Sequence, residues 1–116
     1  MSGRFFYVII RLEVILMGEF EVGGLQFEWD DEKYKINVKK HDVKFETAAR
    51  VFLDKNAIYL YDEEHSYDEE RIKVVGMVEK ILVVIYTERG EKYRIISARL
   101  GDKKDKEDYY GQFDSN

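Results

Sequence analysis

The sequence predicts an α+β fold of two layers, an N-terminal helix pair packed on an antiparallel β-sheet. Three observations carry this reading. Between residues 31 and 53, charge order and apolar spacing are those of helices. Beyond Asn56 the apolar period falls to two, the period of a strand. Arg89-Gly90 then joins two alternating runs through a tight turn, with Gly supplying a positive φ. An extra N-terminal strand or extension precedes these elements.

That leading segment, Phe5 to Leu16, reads FFYVIIRLEVIL. It is shorter than the roughly 20 residues that a membrane-crossing helix needs, and Arg11 and Glu13 interrupt it. A secretory signal fits poorly, because only Arg4 is basic before the run and no small-residue cleavage pattern follows. The apolar even positions Phe6, Val8, Ile10, Leu12, Val14 and Leu16 argue for a strand. A short helix on a membrane surface is an alternative. A start at Met17 is another, which would make the segment translated upstream sequence. Residues 1–24 are therefore set apart as an extension, and 25–116 as the main domain.

The main domain opens at Gly23-Gly24, followed by Leu25 to Asp30. Asp30 is a good N-cap, since its carboxylate can accept from the unpaired N–H groups of the next turn. Asp31 and Glu32 then fall at the positive end of a helix over 31–41, and Lys39, Lys40 and His41 at its negative end. Asp42 takes the stop position. Phe45, Ala48, Ala49 and Phe52 mark one face of a second helix over 45–53. Residues 57–61 are a short strand rich in β-formers, and DEEHSYDEE (62–70) is a polar loop. Strands are expected at 71–78, 80–88 and 91–99. The hairpin register sets Glu88 opposite Glu91, Tyr86 opposite Tyr93, Val84 opposite Ile95 and Leu82 opposite Ser97. Residues 102–110 suit a last short helix.

Composition narrows the function classes. A chain of 116 residues argues for one domain. There is no Cys, which removes disulfides, thiolate zinc sites and cysteine nucleophiles. There is no Pro, so Gly, Asn and Asp must make the turns. No paired-His spacing supports a metal site, and the acidic loop lacks the order and glycine of an EF-hand. Neither metal nor cofactor is expected.

The run Phe27-Glu28-Trp29-Asp30, with Lys33, Asn37 and Lys40-His41 after it, resembles the opening of the BrnT family of bacterial toxins. Val43, Phe45, Ala48, Phe52 and Asp54 continue the likeness, as do Asp62, His65-Ser66, Glu69, Arg71 and Gly76. So do the blocks Val83 to Arg89 and Arg94 to Arg99. Three positions depart from the pattern: Asp42 stands where Gly is usual, Gly101 where Ala is, and Asp105 near a usual Glu. The resemblance covers about 27–110. It implies a RelE-like fold and a cytoplasmic, metal-independent endoribonuclease that inhibits translation. It also implies a BrnA-type ribbon-helix-helix antitoxin, a heterotetramer of two toxins and two antitoxins, and contact with operator DNA only through the antitoxin. No membrane partner is implied.

RNA cleavage without a metal uses the ribose 2′-hydroxyl as nucleophile. The site must supply a base, an acid for the 5′-oxygen and positive charge for the phosphorane. Arg suits the last role, because its planar fork holds phosphate oxygens and stays charged. Of seven Arg, four fall on the expected sheet or its hairpin: Arg71, Arg89, Arg94 and Arg99. Strand parity puts Arg94 and Arg99 on opposite faces, and sets Arg99 with Ser97 and Tyr93. His65 is the best general acid or base, with Glu69 as a rival base or orienting group. The expected catalytic set is thus His65, Glu69, Arg71, Arg89 and Arg99. Lys40, Arg94, Lys103, Lys104 and Tyr109 are expected to contact RNA. Each of these has a plainer reading, as a solvated charge or an ion-paired one. His41 reads as a helix cap or a neighbour of Trp29.

Two other functions compete: a non-catalytic module that co-represses with a DNA-binding antitoxin, and a DNA-binding protein acting alone. The second lacks a basic recognition helix, since 45–53 holds only Arg50. Taken as one number the net charge of −5 argues against RNA, but it is uneven along the chain. Residues 61–71 hold six acids and one base, whereas 89–104 hold six bases and two acids. A local basic edge beside an acidic loop predicts salt-sensitive RNA binding.

Overall fold

The computed structural model describes residues 4–10, 13–66 and 69–114. Strands β1 (Arg4–Ile10), β2 (Glu13–Val22) and β3 (Leu25–Asp30) precede helix α1 (Asp31–His41). A short α2 (Phe45–Ala49) runs into a 3-10 turn (Arg50–Leu53). Then come β4 (Ile58–Tyr61), a 3-10 turn (Glu63–His65), β5 (Ile72–Val78), β6 (Lys80–Arg89), β7 (Lys92–Leu100) and α3 (Lys103–Gly111). The strands form one seven-stranded sheet in the order β1-β2-β3-β7-β6-β5-β4.

This corrects the expected helix pair on an antiparallel sheet. The sheet dominates, and the helices among the described residues are short. It is mixed, because β3 runs parallel to β7, with Phe27 beside Tyr93 and Glu28 beside Arg94. Leu25, Phe27 and Trp29 alternate with Gln26, Glu28 and Asp30, so the approach to the helix cap is itself a strand. The second expected helix stays α-helical only through Ala49 and finishes as the 3-10 turn. The N-terminal segment is two strands. β1 pairs antiparallel with β2, Phe6 opposite Met17 and Val8 opposite Ile15. That pairing sets even positions of β1 against odd positions of β2, so the even apolar series does not form one face. Arg11 and Leu12 lie outside the described residues.

Two layers also become helices on both faces. Phe20, Phe27, Trp29, Phe45, Val51, Val84, Tyr86 and Ile95 form the main core beneath α1 and α2. Val75, Ile81 and Val83 form a second core, into which α3 inserts Tyr109. Trp29, Phe27 and Phe45 are wholly buried, each contributing about 2–3 kcal/mol by removal from water. The Trp29 indole lies over Gly18, where an added Cβ would stand 2.1 Å from its Nε1.

The β6–β7 hairpin also departs from the expected register. Its turn is Gly90-Glu91, closed by Arg89 opposite Lys92, with Gly90 at φ 62°. Glu88 faces Tyr93 and Tyr86 faces Ile95, but Ile85 faces Ser97. Ile96 is thus an extra residue in β7, a β-bulge that reverses which positions face which side. Arg94, opposite Thr87, and Arg99, opposite Val83, therefore share a face. Tyr93 packs against the main core instead.

Helix α1 is capped as its sequence dictates. Asp30 Oδ1 accepts from the Glu32 and Lys33 N–H groups at 2.9 and 3.4 Å. Asp42 stops the helix in the left-handed region at φ 55°, its N–H donating to Val38 O. The helix is held to the sheet by Asn37. Its Nδ2 donates to Ala98 O at 2.8 Å, and its Oδ1 accepts from Ala98 N at 3.1 Å. The β3 pairing reaches only Arg94, so this amide takes a strand's place along the edge of β7. Truncating it leaves a buried N–H and C=O unpaired. Asn37→Ala should cost roughly 2–4 kcal/mol of stability in urea unfolding, whereas an unchanged midpoint would show that the edge is satisfied otherwise.

Candidate functional site

Because Asn37 draws α1 along β7, the helix overhangs the sheet face that carries α3. Between them is a cleft of about 570 Å³. Lys33, Ile36, Lys40 and His41 line it from α1. Arg71, Lys73, Ile85, Ile96, Ser97 and Arg99 line it from the sheet, and Asp62 and Glu64 from the acidic segment. Register explains the sheet wall: Lys73, Ile85 and Ser97 are cross-strand neighbours, with Arg99 two residues beyond Ser97.

The cations on this wall are held from below. Asp105, in the first turn of α3, is 1% exposed. Its Oδ1 lies 2.8 Å from Lys73 Nζ and its Oδ2 2.7 Å from Arg99 Nη1. Oδ2 also accepts from the Asp102 N–H, while Asp102 accepts from the Asp105 N–H, a reciprocal capping box. Burial alone would raise the Asp105 carboxyl. The hydrogen bonds from Lys73, the Asp102 backbone and Arg99 outweigh it and hold the group far below the ordinary carboxylate range. Arg99 further donates to Leu100 O.

Arg71 is placed by the neck of the acidic loop. Asp62 N donates to Arg71 O, the Arg71 N–H donates to Ser66 Oγ at 2.9 Å, and Ser66 Oγ donates to Asp62 O. The Arg71 Nε is buried and makes no hydrogen bond among the described residues. The backbone of His65 belongs to the 3-10 turn beside this neck, and its side chain lies outside the described residues.

The remaining expected residues are dispersed. Arg89 and Glu69 pair with each other at 3.0 Å and line no part of the cleft. Glu69 borders a separate depression with Tyr59, Tyr86 and Glu88. Arg94 donates twice to Glu28 Oε2, at 2.8 and 2.5 Å. Lys103 and Lys104 are on α3, where Lys104 pairs with Asp108. Tyr109 is 4% exposed and donates to Asp54 Oδ2 at 2.6 Å. Burial and that carboxylate push its phenol up to about 12, so it stays a neutral donor. Of the expected set, the cleft brings together Arg71, Arg99 and Lys40.

Sequence reasoning missed Lys73 as a cleft cation and Asp105 as its support. Lys73 was legible, since it lies two residues from Arg71 on the strand expected over 71–78, where the two would share a face. Asp105 was legible only as the fourth residue of an Asp102-x-x-Asp105 cap. Asp105 has a testable consequence. Its depressed pKa stabilises the fold above the unfolded carboxyl's ordinary 3.8, and that contribution is lost progressively as pH falls through that value towards the lower folded one. Unfolding temperatures of Asp105→Asn should lie below wild type at pH 7 and decline less between pH 5 and 3. Parallel curves for the two proteins would remove Asp105 from the acid response.

With this geometry in place, comparison with known proteins is informative. No curated protein matches the chain. Residues 29–105, from Trp29 near the end of β3 to Asp105 in the first turn of α3, match the family described as "ribonuclease toxin, BrnT, of type II toxin-antitoxin system". As that match takes in more than half of its residues, the chain belongs to the BrnT family of ribonuclease toxins of type II toxin-antitoxin systems.

Proposed function

We propose that this toxin is a metal-independent endoribonuclease that binds RNA in the cleft between α1 and the sheet. The observation that supports this most is the gathering of Arg71, Lys73 and Arg99 on one wall, with Lys33 and Lys40 facing them from α1. Such charge, partly shielded from water, suits a phosphodiester and favours the more highly charged phosphorane still more. The Arg71 guanidinium lines the cleft, and its planar fork of donors suits phosphate oxygens. Lys73 and Arg99 are already oriented by Asp105, so little order need be lost when substrate arrives.

In this reading the ribose 2′-hydroxyl attacks the adjacent phosphorus, yielding a 2′,3′-cyclic phosphate and a 5′-hydroxyl. His65 stands in the segment whose Asp62 and Glu64 border the cleft, and we assign it the proton for the departing 5′-oxygen. Of the remaining cations Lys103 would extend a basic margin for flanking phosphates, whereas Arg94 and Lys104 are already paired with Glu28 and Asp108. The chemistry drawn here does not use Glu69 or Arg89.

The toxin is inhibited by an antitoxin, for which we propose a BrnA-type ribbon-helix-helix protein. It would block this cleft by complementary charge and carry the complex to operator DNA. No helix among the described residues is long and apolar enough to cross a membrane. We place the activity in the cytoplasm, where translated RNA is the target.

Purified protein should cleave RNA with EDTA present. Arg71→Ala and Arg99→Ala should each lower kcat/KM by about 100-fold, as loss of a charge-stabilising donor commonly does. RNA affinity should fall steeply as salt rises from 50 to 200 mM. Activity abolished by EDTA, or retained in full by both variants, would overturn this reading.

A further inference from the structure

Among the described side chains the cleft holds one imidazole, that of His41. As a helix-end histidine it has two ordinary roles, and the geometry gives it neither. The helix stop is made by backbone: the Asp42 N–H donates to Val38 O with Asp42 left-handed. The Trp29 indole packs edge-on against Tyr34 and Phe45, at 5.3 and 5.7 Å between centroids. Among the described residues His41 makes no hydrogen bond, ion pair or ring contact, yet its half-buried side chain lines the cleft. It does so from the α1 side, across from the sheet wall that carries Arg71, Lys73, Ser97 and Arg99.

In-line displacement at phosphorus puts the attacking and leaving oxygens on opposite sides of the phosphate. A phosphate seated on the arginines of the sheet wall would therefore need proton transfer on two sides. The acidic segment with His65 borders one part of the cleft, and α1 borders another. A neutral imidazole is the side chain best matched to taking a hydroxyl proton near neutral pH.

We propose that His41 is the catalytic base of the cleft, an inference that rests on the ribonuclease reading above. Its imidazole takes the 2′-hydroxyl proton as the 2′-oxygen bonds to phosphorus. The P–O5′ bond breaks, its electron pair leaves on the 5′-oxygen, and that oxygen receives its proton from the general acid assigned above. The resulting imidazolium returns its proton to water. Facing His41 are Lys33 and Lys40 of α1, Arg71, Lys73 and Arg99 of the sheet, and Asp62 and Glu64 of the acidic segment.

The test is the pH dependence of RNA cleavage by wild type, His41→Gln and His41→Asn, with binding of an uncleavable 2′-O-methyl oligonucleotide measured in parallel. Both variants should lose about 100-fold or more in kcat. Affinity for the 2′-O-methyl probe should stay within about threefold, and the thermal unfolding midpoint should stay close to wild type, because no hydrogen bond, ion pair or ring contact is removed. The acidic limb of the pH–rate profile should vanish from the residual activity, while the basic limb remains. Variants with kcat within about threefold of wild type, or a low rate with the acidic limb intact, would overturn the assignment of His41 alone. A wild type that leaves RNA intact would overturn the ribonuclease reading, and this proposal with it.

Discussion

The pairing of the Asn37 amide with both main-chain groups of Ala98 is the contact on which the functional geometry depends. The parallel partner of β7 reaches only Arg94, so the strand would otherwise present bare N–H and C=O groups at that edge. One side chain satisfies both, and in doing so fixes the distance and rotation of α1 against the sheet. The cleft residues on the helix, from Lys33 to His41, flank that contact. The side chain is buried, so the pair is strong where the surrounding surface charges are not.

A second constraint acts from the opposite side. Asp105 is nearly sealed from solvent and accepts from Lys73, Arg99 and the Asp102 backbone. A buried carboxylate with that many donors is tolerable because its charge is matched and its lone pairs are used. The consequence for the cleft is that two flexible cations are held at defined places beside Arg71. Helix α3 thereby supports the site without lining it. Its Tyr109–Asp54 bond anchors the same helix to the turn that follows the 3-10 segment.

The split of charge along the chain has a structural meaning. The acidic loop and the basic last strand are distant in sequence, yet Asp62 and Glu64 border the same cleft as Arg71 and Arg99. The loop therefore lies beside the basic wall rather than apart from it. In the proposed ribonuclease reading, association with a polyanion rests on local cations and on an acidic rim that limits where a phosphate can sit.

Local chemistry was legible from the residues alone. Asp30 and Asp42 marked the ends of α1, Gly90 marked the hairpin, and the strands beyond Asn56 showed their period, because each signal acts within a few residues. Arg71 and Arg99 were legible as phosphate-binding candidates by charge and strand position. The BrnT resemblance carried the family, and residues 29–105 establish it. The hairpin register, the parallel β3–β7 pair and the division of the N-terminal segment into two strands were not legible. A single extra residue, Ile96, reverses the faces of β7 without any mark in the sequence. Likewise nothing local announces that Lys73 and Arg99 share one carboxylate, or that His41 faces them across a cleft. Those relations join residues far apart in the chain, and only packing a mixed sheet between helices on both faces brings them into reach.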